Sequence, residues 1–226
     1  MNASRNVWCV LSVLSISQAG GLILRPIDDG PRDAAFAATR AAVVAALQIK
    51  DDARVRALVA GDVKVSPTGE GGLDAFIQVL GDADGAPRDE LLKILRMGGT
   101  FEGKLGSRVR FCAPYVYSTY PELSSIPDRM MGEVKPFVIV GKGVSLRRLP
   151  NSAAPIVATL SYTLVRYLGD VTPHVGLKPL WIRVETADGR QGYVARVYAR
   201  SPDDFHVCFE KRGEQWLLTE FYEQGL

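Results

Sequence analysis

A rhythm of short apolar runs separated by tight-turn residues between Phe137 and Pro202 restricts this chain more than any other feature. Phe137 to Val140 and Val144 to Arg148 flank Gly141-Lys-Gly143, Ile156 to Leu160 follows a loop, and Leu164 to Leu168 comes next. Trp181 to Glu185 and Gln191 to Val194 flank Ala187-Asp188-Gly189, where Asp-Gly accepts the positive backbone angles of a hairpin turn. Short strands at this spacing, with no long helix between them, indicate a small barrel. The span Gly169 to Pro179 is punctuated by glycine and proline and reads as a loop.

The front half follows a different period. Asp33 can cap a helix in which Phe36, Val43, Val44 and Leu47 form an apolar face interrupted by Arg40. A second helix begins at Asp51-Asp52, carries Val55, Leu58 and Val59 on one side, and stops at Gly61. Val63-Lys-Val65 alternates like a brief strand. Leu73, Phe76, Ile77 and Leu80 mark a third helix, and Pro87 opens a fourth that ends at Gly98-Gly99, where glycine accepts a left-handed backbone. Val109-Arg-Phe111 and Tyr115-Val-Tyr117 read as extended segments interrupted by Pro114. At the other end, His206 to Phe209 and Trp216 to Phe221 flank a turn at Gly213. A lone hairpin is marginal in water, so this one must join the barrel sheet or pack on the front half.

Met1 to Gly20 has the layout of a secretory signal: Arg5, an apolar run from Val7 to Ile16, then Ser17-Gln18-Ala19. The run is too short to span a bilayer, so we expect export without a transmembrane anchor, to the periplasm or the medium. Removal of that segment leaves Cys112 and Cys208. They can pair in an oxidising compartment or pack as small apolar groups, and spacing alone does not decide between the two. The formal net charge of +2, with basic and acidic residues interleaved, lacks the basic stripe of a nucleic-acid-binding protein.

The residues Val144-Ser-Leu-Arg147, Pro150, Pro155-Ile-Val157, Thr159-Leu160, Trp181-Ile-Arg-Val184, Gly192-Tyr-Val194 and Tyr198 resemble the bacterial Src homology 3 (SH3) domain family. Two departures stand out: the 169–179 loop is long, and Tyr193 stands where another aromatic, often Trp, is expected. The resemblance implies a noncatalytic binding module of the kind found on exported and cell-wall proteins, holding a peptidoglycan peptide or a protein partner. Gly98-Gly-Thr-Phe101 and Ala113-Pro-Tyr-Val-Tyr-Ser118 are similar to the region beside such modules in exported bacterial proteins, and imply no activity.

The expected fold class is α+β: a signal segment 1–19, a linker 20–31, a mainly helical N-terminal domain 32–133, an SH3-like β-barrel 137–202 and a C-terminal β-hairpin 203–226. The candidate ligand-binding residues are Arg147, Trp181, Arg183, Tyr193 and Tyr198. In a strand, Ile182 and Val184 share one face while Trp181 and Arg183 share the other. Trp181 is therefore either a recognition residue or a rim residue covering the barrel end. No cofactor or metal is expected, because His174 and His206 stand in no ligand spacing with Cys, Asp or Glu. Cys112 with His206 as nucleophile and base lacks a helix N-terminus or glycine elbow to frame the sulfur. Two further readings are an enzyme whose active site lies in the front half, and a structural protein with no dedicated ligand.

Overall fold

The computed structural model describes residues 21–81, 86–102, 109–175 and 178–225, so the signal segment read at 1–19 lies outside the described residues. In the front half the elements are α1 (Ala34–Gln48), α2 (Asp52–Ala57), β1 (Val59–Lys64), α3 (Leu73–Leu80), α4 (Ala86–Arg96), β2 (Thr100–Glu102), β3 (Arg110–Ala113) and α5 (Tyr115–Ser118). Then come β4 (Phe137–Ile139), β5 (Val144–Arg147), β6 (Ile156–Leu160), β7 (Leu164–Val175), β8 (Lys178–Glu185), β9 (Gln191–Ala195) and β10 (Ala199–Arg200). The C-terminal hairpin supplies β11 (His206–Arg212) and β12 (Gln215–Tyr222).

These elements make a mixed α+β structure with two sheets, ordered β1-β12-β11-β3-β2 and β10-β4-β7-β8-β9-β5-β6. The hairpin β11-β12 therefore lies inside the first sheet, between strands of the front half. In the second sheet no closed barrel forms among the described residues; β10 and β6 end the ladder without pairing with each other.

Helix α1 starts where the sequence places it, with the Asp33 carboxylate accepting a hydrogen bond from the Phe36 amide at 2.9 Å. Its apolar face meets one side of the first sheet. Phe36 is fully buried, with its ring centroid 4.2 Å from that of Phe111 and edge-on to Phe101, Phe209 and Trp216. Arg40 stays on this face because Asp28 receives its guanidinium at 2.7 and 2.9 Å, while the guanidinium carbon lies 5.6 and 5.8 Å from the ring centroids of Phe36 and Phe111. Val43, Leu47, Val55, Phe76, Leu80, Leu91 and Ile94 complete the core between helices and sheet.

A second core lies inside the other sheet, built from Phe137, Ile139, Leu146, Leu160, Val165, Ile182, Val184 and Val194. Strand β4 is buried on both faces: Phe137 and Ile139 enter this core, while Val138 joins a third cluster with Tyr115, Val116, Ile126, Met130 and Leu164. Buried Arg200 on β10 donates to Glu90 on α4 and to the Phe205 carbonyl, tying the second sheet to the helices.

Three local readings change. The span 169–179 is a ladder rather than a loop, since β7 runs to Val175 and β8 starts at Lys178. Register shifts between Tyr167 and Gly169 and between Val171 and His174 absorb Gly169, at φ +135°, and Pro173, which has no amide to donate. Helix α2 ends at Ala57, because Val59 leaves it to pair in parallel with Leu218 of β12. Tyr115 to Ser118 forms a helical turn, with the Pro114 carbonyl accepting from the amides of Tyr117 and Ser118.

Phe36→Ala removes the ring on which the aromatic group closes and is expected to cost about 3–5 kcal/mol, read as a lower denaturation midpoint in urea. A loss below about 1 kcal/mol would show that the surrounding rings collapse into the space.

Candidate functional site

Alternation along β8 buries Ile182 and Val184 completely and turns Trp181 and Arg183 to the other face, Trp181 half-buried and Arg183 exposed. On β9, Gly192 and Val194 point inward and Tyr193 and Ala195 outward. Tyr193 pairs with Arg147 on one side and with Arg183 on the other. The three side chains thus stand in one lateral row across β5, β9 and β8, with the two arginine backbones about 10 Å apart. Gly192 allows this close pairing, since a Cβ there would lie 2.6 Å from the Arg147 carbonyl.

Both arginines are oriented by hydrogen bonds, one to the loop before β6 and one across to β9. Arg147 Nη1 donates to the Ala154 carbonyl at 2.7 Å, and Arg183 Nη2 donates to Gln191 Oε1 at 2.8 Å. Trp181 stands one row along, opposite Ala195, whose small side chain leaves room beside the indole. Exposed Ile156, opposite Arg147, extends the row. Tyr198 is exposed but lies on the turn of 3-10 helix Arg196–Tyr198, with its carbonyl accepting from the Val140 amide; no strand register joins it to the other four.

The face of the first sheet turned away from the helices carries a second group, which spacing along the chain does not reveal. Cys112 and Cys208 are directly opposite on β3 and β11 and form a disulfide. In this form neither sulfur is a thiolate, so the pairing of Cys112 with His206 as nucleophile and base has no nucleophile. Glu220 lies opposite Cys208 on β12. Its carboxylate meets Arg110 Nη2 at 3.0 Å, Lys64 Nζ at 3.4 Å and His206 Nε2 at 3.9 Å.

His206, on β11, is fully enclosed. The Tyr117 ring stacks on it at 4.0 Å and 6°, and Tyr222 meets it edge-on at 4.5 Å. Burial, reinforced by Arg110 and Arg200, lowers its pKa to about 4 and leaves the ring neutral at pH 7. Burial, with the nearby carboxylates of Glu102 and Glu220, pushes the Tyr117 hydroxyl up to about 12. Burial also raises the Glu102 carboxyl; Arg110 opposes the shift and Glu220 adds to it.

A one-residue bulge builds this group. From Arg212↔Gln215 to Phe209↔Leu218 the hairpin register is regular; it then slips, so that Cys208 meets Glu220 rather than Thr219. Without the slip, Glu220 and Tyr222 would follow Trp216 and Leu218 onto the helix side. Spacing shows only that His206 and Cys208, two apart on a strand, share a face; their meeting with Cys112 and Glu220 depends on the pairing of three strands.

An imidazole that binds its proton more weakly in the folded chain makes stability fall with acid. Between pH about 6.5 and 4 the unfolded chain holds more protons, so unfolding free energy decreases as pH falls through that window and levels off below it. For the disulfide-bonded protein the loss is on the order of 3 kcal/mol. His206→Phe is expected to remove this component from urea midpoints measured across the window; parallel curves for the two proteins would refute the assignment to His206.

In comparisons with known proteins, no family model, no curated protein and no solved structure matches the chain significantly.

Proposed function

We propose that the chain is a noncatalytic, exported binding protein whose second sheet is an SH3-like module that holds a carboxylate-bearing peptide of the cell wall. One observation carries this reading: Arg147, Tyr193 and Arg183 stand side by side in strand register, with Trp181 in the adjacent row. Two guanidiniums flanking a phenol ring match a ligand with acidic groups on an extended backbone, since guanidinium and carboxylate form paired charge-assisted hydrogen bonds. Trp181 and Tyr193 add rigid apolar area at low entropic cost, as aromatic residues do at recognition surfaces. Tyr198 stays outside this constellation.

The SH3-like reading of the sheet rests on its run of antiparallel neighbours, β7-β8-β9-β5-β6, around one apolar cluster. Export rests on the segment 1–19 and on the disulfide, which persists in oxidising compartments. No helix among the described residues is long and apolar enough to cross a membrane.

Calorimetric titration with a soluble peptidoglycan stem peptide tests the binding reading. Trp181→Ala, and the pair Arg147→Ala with Arg183→Ala, are each expected to weaken binding by about tenfold or more. Unchanged affinity in both, with circular dichroism showing an intact fold, would remove this face as the site. Mass spectrometry of the protein recovered from expressing cells tests export: cleavage after Ala19 is expected, and a chain that retains Met1 in an extracytoplasmic fraction would overturn the assigned cleavage.

A further inference from the structure

Cys112, Cys208 and Glu220 occupy one lateral row across β3, β11 and β12, and His206 lies two residues from Cys208 on the same face. The donor atoms of His206, Cys208 and Glu220 all lie within 4.8 Å of one another, and all three residues are buried. The Cys112 sulfur is held at the same point by its bond to Cys208. Neither ring nitrogen of the enclosed His206 has a hydrogen-bond partner within 3.5 Å among the described residues; the Glu220 carboxylate stands 3.9 Å from Nε2 and the Tyr222 backbone makes only a longer approach, so the ring has capacity for a water or an ion.

We propose that reduction of the Cys112–Cys208 disulfide opens a tetrahedral site in which both sulfurs, a His206 ring nitrogen and the Glu220 carboxylate hold one divalent cation of the zinc class. Two thiolates with an imidazole select zinc over the hard cations. Bonds of about 2.3 Å to sulfur and 2.0–2.2 Å to nitrogen and oxygen place tetrahedral donors about 3.3–3.8 Å apart. The existing cluster needs to contract by about 1 Å, and the two sulfurs need to separate by rotation about their side chains.

Charge closes as well. Two thiolates and a carboxylate facing a divalent cation leave one negative charge, which faces two cations: Arg110, with Nη2 3.0 Å from Glu220 and 3.5 Å from the Cys112 sulfur, and Lys64, 3.4 Å from Glu220. The stacked Tyr117 ring screens the imidazole from water.

The two states exclude each other. A dithiol reductant breaks the S–S bond, delivers two electrons and two protons to give two protein thiols, and itself becomes a disulfide. The cation then displaces both thiol protons into solvent as the two metal–sulfur bonds form. The same residues therefore hold either a covalent cross-link or a metal, according to the thiol balance of the surroundings.

Cobalt(II) reports the site directly through its thiolate charge-transfer and tetrahedral d–d absorption. The full chain carrying Cys9→Ser, reduced under anaerobic conditions, is expected to take up one cobalt per chain with both bands, and the oxidised chain none. Cys208→Ser is expected to lose the charge-transfer intensity of the paired thiolates, and His206→Gln and Glu220→Gln to weaken cobalt binding by about tenfold or more. Circular dichroism follows the same samples: a reduced chain that unfolds and is refolded by cobalt supports the site, and one that stays unfolded with cobalt overturns it. Equal cobalt uptake by the oxidised chain, absence of charge-transfer bands on reduction, or indifference to both His206→Gln and Glu220→Gln also overturns it.

Discussion

Where β11 runs antiparallel to β3, the chain closes a loop whose cross-linked ends are 96 residues apart, and the closure sits in the middle of the first sheet. Everything on that sheet leans on this ladder. Phe111 and Phe209 face each other across it and supply much of the surface on which α1 packs, so the helices have no complete floor until the C-terminal hairpin arrives. The Cys112–Cys208 bond reinforces the same contact. In the chain-entropy account a cross-link over this length restricts the unfolded chain by roughly 4–5 kcal/mol.

The intervening segment is not a passive insertion. It carries its own apolar core, and β4 is shared between that core and the cluster that reaches back to Tyr115 and Val116. Buried Arg200 extends the connection to α4 through Glu90. Helices, first sheet and second sheet therefore communicate through packed side chains and the Arg200–Glu90 ion pair, while the face bearing Arg147, Tyr193 and Arg183 remains on the outside.

What could be read from the residues was whatever depends on neighbours along the chain. The cap at Asp33, the Asp188-Gly189 turn, and the inward parity of Ile182 and Val184 follow from local backbone preferences and a period of two. That parity also placed Arg183 and Trp181 on the outer face. Tyr198 escaped it, because it lies on a 3-10 turn where strand alternation has lapsed. The β7–β8 ladder was obscured because Gly169 and Pro173 are turn residues by composition, and only pairing with a distant strand makes them bulges. The polar group around Glu220 depends on three strands and a register slip, and no spacing along a single segment encodes it.

The slip at Thr219 gives β12 two reading frames. Before it, Trp216 and Leu218 face the helices and Leu217 faces away; after it, Phe221 faces the helices and Glu220 and Tyr222 face away. Tolerance to substitution along these eight residues accordingly changes phase partway, with apolar requirements at even positions first and at an odd position afterwards. Thr219, whose hydroxyl bonds the Cys208 carbonyl at 3.3 Å, marks the point of change. A single-residue deletion there would straighten the ladder and keep both environments, whereas a straight register with Thr219 retained would drive a carboxylate toward the aromatic core and a phenylalanine toward the disulfide.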